Sequence, residues 1–104
     1  MYFAYQRCSD FSLLFKKWYP CYVEIKEKEI KTYQNNKLSN EFLLDGSCIF
    51  TRPVTVEKYG KSEYYKFCLY FVNSDSEYVI MWLASESMEE AIKLRKVIDD
   101  ALKL

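Results

Sequence analysis

The chain has 104 residues, half of them hydrophobic and 18% aromatic, with only two Gly and two Pro, so it suits one packed domain and not a disordered or low-complexity segment. Fifteen Lys plus Arg balance fifteen Asp plus Glu, and that balance does not indicate bulk attraction to nucleic acid. There is no histidine, and the four cysteines, Cys8, Cys21, Cys48 and Cys68, supply no close Cys-x-x-Cys pair, so neither a metal nor another cofactor is expected.

The zero net charge hides an asymmetry. Residues 1–40 carry seven bases and four acids, and residues 41–104 carry eight bases and eleven acids. An anionic partner would therefore prefer the N-terminal half. Three of the four cysteines sit inside strand-like apolar runs and read as reduced, small hydrophobes, and no secretory signal pattern is present at the N-terminus, so a cytoplasmic setting is expected. The longest apolar runs, Phe67 to Val72 and Tyr78 to Ala84, fall far short of the roughly 18 residues of a transmembrane helix.

In chain order, Met1 to Gln6 reads as a short aromatic strand, and Arg7 to Phe15 as a loop whose tip, Phe11-Ser12-Leu13-Leu14-Phe15, is apolar and runs into Lys16-Lys17. Trp18 to Lys26 is a second strand, with Pro20 pointing to an edge or a bulge. Glu27-Lys28 makes a tight turn, and Glu29 to Gln34 closes a hairpin. Asn35 to Asn40 reads as a polar loop, Phe42 to Leu44 as a brief strand, and Cys48 to Val56 as another, interrupted by Pro53. A charged loop is expected over Glu57 to Ser62, turning at Gly60.

Tyr64 to Val72 is the longest strand, and period-two alternation puts Tyr65, Phe67, Leu69 and Phe71 on its core face if Lys66 meets water. Tyr78 to Ala84 is the last strand. Its residues Val79, Met81 and Leu83 alternate with Tyr78, Ile80, Trp82 and Ala84, so the strand is apolar on both faces and one face must point away from the interior. The period then changes at Ala84-Ser85. Ser87 and Glu90 form a capping box, with Ser85 as a competing cap, and Ala91, Leu94, Ile98 and Ala101 make a helical stripe widened by Ile92, Val97 and Leu102.

About seven short strands followed by one amphipathic helix describe a mainly β, α+β fold in a single domain, residues 1–104. Lys17-Trp18-Tyr19-Pro20-Cys21-Tyr22-Val23-Glu24-Ile25, the turn after it and Ile30-Lys31-Thr32-Tyr33 resemble the second and third strands of pleckstrin homology (PH) domains. Tyr78 to Ser87 resembles the family's last strand and helix entry. The resemblance covers essentially the whole chain and implies a PH-like barrel of two near-orthogonal antiparallel sheets capped by the C-terminal helix. Leu94 stands where the family's helix usually carries a tryptophan. Phosphoinositide-binding members carry a basic residue at the end of the first strand, matched here by Arg7, and a basic-x-Arg pair after the tryptophan, where this chain has Tyr19 and Cys21.

Recognition of a multiply phosphorylated headgroup needs charge-assisted donors from fixed Lys or Arg side chains, which a phenol and a thiol do not replace. The departure favours a non-enzymatic recruitment or scaffold module that binds a protein, with Val79, Met81 and Leu83 as its interface. The alternative is a peripheral membrane module that binds anionic lipids or phosphoinositides weakly through the loop between the first two strands. In that reading Arg7, Lys16, Lys17, Lys31 and Lys37 meet headgroups, and Phe11, Leu13, Leu14 and Phe15 form a wedge. An enzyme is not expected: there is no histidine for acid–base work, no Gly-rich phosphate cradle and no serine or cysteine beside a recognisable base.

Overall fold

A computed structural model describes residues 1–8 and 17–104 of the chain. Eight strands precede one helix: β1 (Tyr2–Cys8), β2 (Tyr19–Lys26), β3 (Glu29–Gln34), β4 (Lys37–Leu43), β5 (Ile49–Thr51), β6 (Thr55–Tyr59), β7 (Ser62–Val72), β8 (Glu77–Ser85) and α1 (Met88–Leu102). All strand pairs are antiparallel, in the order β4-β3-β2-β1-β8-β7-β5, with β6 also on β7.

The sheet is single and open, which corrects the expectation of a barrel made of two sheets. β1 pairs with β2 on one side and β8 on the other, so the two halves share one hydrogen-bonded ladder. The ends of that ladder, β4 and β5, do not pair with each other. Instead α1 lies across the interior against β2, β5, β7 and β8. Among the described residues no helix is long and apolar enough to cross a membrane.

Two connections differ from their sequence reading. Asn35 to Asn40 is not a loop, because Asn35 and Asn36 both take positive φ (52° and 63°), the geometry of a two-residue hairpin turn, and β4 begins at once at Lys37. The segment from Glu57 to Ser62 is mostly strand: β6 runs to Tyr59, Gly60 turns at φ 63°, and β7 starts at Ser62. By contrast, the break at Pro53 separates β5 from β6 as its missing N–H requires.

The core lies between the sheet's inner face and α1. Leu94, Ile98 and Ala101 are buried there with Val23, Ile30, Phe67, Leu69, Met81 and Leu83, and Ala91 is buried as well. Ile92, expected to widen the stripe, is exposed instead. Ser87 Oγ accepts the Glu90 N–H at 3.4 Å, while the Ser87 N–H donates to Ser85 Oγ at 3.1 Å, so two serines divide the capping. Gly46 is required near the helix end, because a Cβ there would lie 2.0 Å from the Leu102 carbonyl oxygen.

Among the described residues, two polar side chains enter the interior. Gln6 and Thr32 are fully buried, and the Asn40 side-chain oxygen accepts from both. Gln34 in turn donates to Gln6 Oε1 at 3.3 Å, so β1, β3 and β4 are cross-linked by satisfied side chains.

Candidate functional site

The outer face of the sheet carries its own cluster, built around a small residue. Ala84 pairs with Tyr5 on β1 and with Lys66 on β7, and its methyl group leaves room above it for neighbouring rings. Trp18 and Tyr64 bury there with Ala84, flanked by Tyr5 and Trp82. Tyr5 meets Tyr64 edge-on at 4.9 Å between centroids, and Trp18 stacks on Tyr64 at 5.8 Å. Because Ala4 and Gln6 are buried on the inner face, alternation turns Tyr5 and Arg7 outward into this cluster.

Glu57 is the polar centre. It receives a bidentate pair from Arg7, with both N–O distances 3.0 Å, a bond from the Trp18 indole at 2.8 Å and one from Lys66 Nζ at 3.0 Å. Burial by itself would push the carboxyl up, but donation from Arg7, Lys66 and Trp18 outweighs it and holds the group down at about 2. The Arg7 guanidinium also lies 4.1 Å from the centre of the Trp18 ring, and Lys66 Nζ lies 4.8 Å from that of Trp82. At the other end of the cluster the Tyr5 hydroxyl donates to Glu86 at 2.6 Å. That bond, with burial and the glutamate charge, pushes the phenol up to about 12.

The headgroup residues expected from the sequence are not gathered into one cradle. Arg7 is committed to Glu57. Lys31 stands opposite Glu24 and Glu41, with its Nζ 3.1 Å from Glu29 and 3.9 Å from Glu41, and these carboxylates push its titration up. The ladder sets Lys31 beyond the level of Tyr2, whereas Arg7 lies five residues further along β1, about 17 Å at the usual strand rise. Lys31 and Arg7 therefore cannot meet one headgroup together. Lys17 and Lys37 are exposed, just before β2 and at the start of β4, at the Arg7 end. Lys16 and the wedge residues Phe11, Leu13, Leu14 and Phe15 lie outside the described residues.

The three residues expected to form a protein interface also separate. Met81 and Leu83 are wholly buried in the inner core, and Val79 alone reaches the outer face. The reason is a bulge. Leu69 pairs with Met81 but Tyr70 pairs with Val79, so Ile80 is an extra residue in β8 and the alternation flips across it.

Beside Val79 the outer face opens into a groove of about 410 Å³. Val79, Tyr70, Trp82 and the buried Cys68 line it from β7 and β8, and Arg52, Pro53 and Thr55 line it from the segment between β5 and β6 and the start of β6. The interruption between β5 and β6 creates it. Thr51 pairs with Leu69 and Thr55 with Lys66, so residues 52–54 form a bulge opposite β7, held by the Arg52 N–H on the Cys68 carbonyl at 3.0 Å. Val54 packs inward, and the Arg52 guanidinium lies 4.3 Å from the centre of the Tyr70 ring. A second depression, about 330 Å³, lies between β5 and α1. Across it Thr51 Oγ1 donates to Asp99 at 2.6 Å and accepts from Arg95 Nε at 3.1 Å.

Cys48 and Cys68 are free thiols, and burial pushes both up, which keeps them protonated and poorly nucleophilic. Among the described residues no group of three or more His, Cys, Asp or Glu side chains is placed to hold a metal ion. Glu57, Lys66, Arg52, Tyr70 and Trp82 were not marked as functional by sequence reasoning. The one available signal for the groove was Pro53, which marks the break but not the face on which it opens. No family model matches the chain, and no curated protein matches it either.

Proposed function

We propose that this chain is a non-enzymatic recruitment module of PH-like architecture whose partner is a protein rather than a specific phosphoinositide. One observation carries the reading: Glu57 occupies Arg7 through both guanidinium bonds and takes Lys66 as well. A headgroup phosphate would have to displace a carboxylate already held by charge-assisted bonds. The open apolar groove beside Val79 and Trp82 supplies a surface suited to a side chain instead. The PH-like assignment is supported by the hairpin order from β1 to β4, the return of β8 beside β1, and the helix that follows.

Weak binding to anionic lipid is a second reading, favoured by the exposed Lys17 and Lys37 at the Arg7 end. Co-sedimentation with neutral vesicles, phosphatidylserine vesicles and vesicles of equal charge containing phosphoinositides separates the two. We expect no preference for phosphoinositide over phosphatidylserine, and any residual binding should fall steeply with salt. A clear phosphoinositide preference that disappears in Arg7→Ala would overturn the protein-binding reading.

A further inference from the structure

We propose that the groove between Tyr70 and Trp82 receives an extended acidic peptide segment, with one large apolar side chain against Val79 and Cys68 and a neighbouring carboxylate on Arg52. The inference rests on the protein-binding reading above and names the chemistry of the partner. Its basis is a combination of shape and charge. The volume of about 410 Å³ falls within the range of pockets that enclose a small ligand or a large side chain. No Asp or Glu lines it, Arg52 lines it and lies over Tyr70, and Lys66, outside the lining, lies over the Trp82 ring.

The two cations are not equivalent. Lys66 shares its charge with Glu57 at 3.0 Å, whereas among the described residues Arg52 pairs with no carboxylate. Arg52 is also held in place, its backbone by the Cys68 carbonyl and its guanidinium by the Tyr70 ring, so its fork is partly ordered before a ligand arrives. An arginine of this kind selects a planar carboxylate beside the apolar anchor. Strand addition does not fit the same place, because Pro53 interrupts the donors that a new strand would need. A concave site with one available cation also differs from the protruding apolar tip and several bases that a membrane surface requires.

The two tryptophans give the test an internal control, since Trp82 lines the groove and Trp18 lies in the Glu57 cluster. The full chain, labelled with nitrogen-15, would be titrated with a short synthetic peptide carrying a central phenylalanine flanked by glutamates. Two control peptides have lysines for the glutamates or alanine for the phenylalanine. We expect the acidic phenylalanine peptide to shift the Trp82 indole signal and the Val79 and Tyr70 amides while leaving the Trp18 indole in place. Both controls should bind about tenfold more weakly or worse. Arg52→Glu, at an exposed position, should fold normally and reverse the preference toward the lysine peptide. Equal binding of acidic and basic peptides, shifts confined to another surface, a dimer that buries the groove, or no binding by any peptide would each overturn the inference. Failure of the protein-binding reading itself is read separately, by phosphoinositide preference in the vesicle assay.

Discussion

The two faces of this sheet use the same strands to build different kinds of interior. On the inner face Phe67, Leu69, Met81 and Leu83 meet α1 in an apolar core whose few polar groups, Gln6 and Thr32, are satisfied by side chains of neighbouring strands. On the outer face a smaller cluster of Trp18, Tyr64 and Ala84 surrounds a carboxylate that three donors hold. The inner core needs a whole helix to exclude water. The outer cluster does so with rings and ion pairs, and it leaves a groove at its border. Stability resides mainly on one face, and the surface chemistry on the other.

The strongest way to break the inner side is Phe67→Ala, which removes a fully buried ring from the middle of β7. We expect a loss of about 4 kcal/mol in chemical denaturation, from lost transfer energy and the cavity left behind. Trp18→Ala tests the outer side and should cost about 3 kcal/mol, at the low end for an aromatic truncation, because the cluster lies near the surface and can partly collapse. If Trp18→Ala matched or exceeded Phe67→Ala, the division of labour between the faces would be wrong.

Glu57→Gln sharpens the comparison with a smaller change, about 1–2 kcal/mol, since it leaves Arg7 and Lys66 facing a neutral amide. The acid dependence gives a separate signature. The folded carboxyl titrates at about 2, below its ordinary value of 4.5, so its contribution is fully present above about pH 4.5 and is lost as pH falls toward 2. Denaturation midpoints measured across that window should fall less in Glu57→Gln than in the parent chain. Identical slopes would mean that the Arg7–Glu57 pair contributes nothing to folding.

Much of the fold was legible because its periods are local. Ala91, Leu94, Ile98 and Ala101 are spaced for one helical face and all four are buried, and Phe67 and Leu69 follow the alternation expected of β7. The Asn35-Asn36 turn was misread because asparagine-rich polarity suits a loop and a tight hairpin equally; only the positive φ values distinguish them. The candidate site was less legible. Arg7 was marked as a basic residue, but its partner Glu57 lies fifty positions away on a segment read as a loop. Val79, Met81 and Leu83 share a sequence period, and one inserted residue, Ile80, turns Val79 to the opposite face.

By itself the sequence determined a mainly β fold, the C-terminal helix, its cap and its buried stripe, since each depends on residues close in the chain. Tertiary structure alone decided that the sheet is continuous and open, that Arg7 is neutralised by Glu57, and that a groove opens beside Trp82. These features depend on strand register and on contacts between distant segments. A shift of one residue in a strand exchanges inside for outside, and no local pattern encodes which neighbour a long cationic side chain will meet.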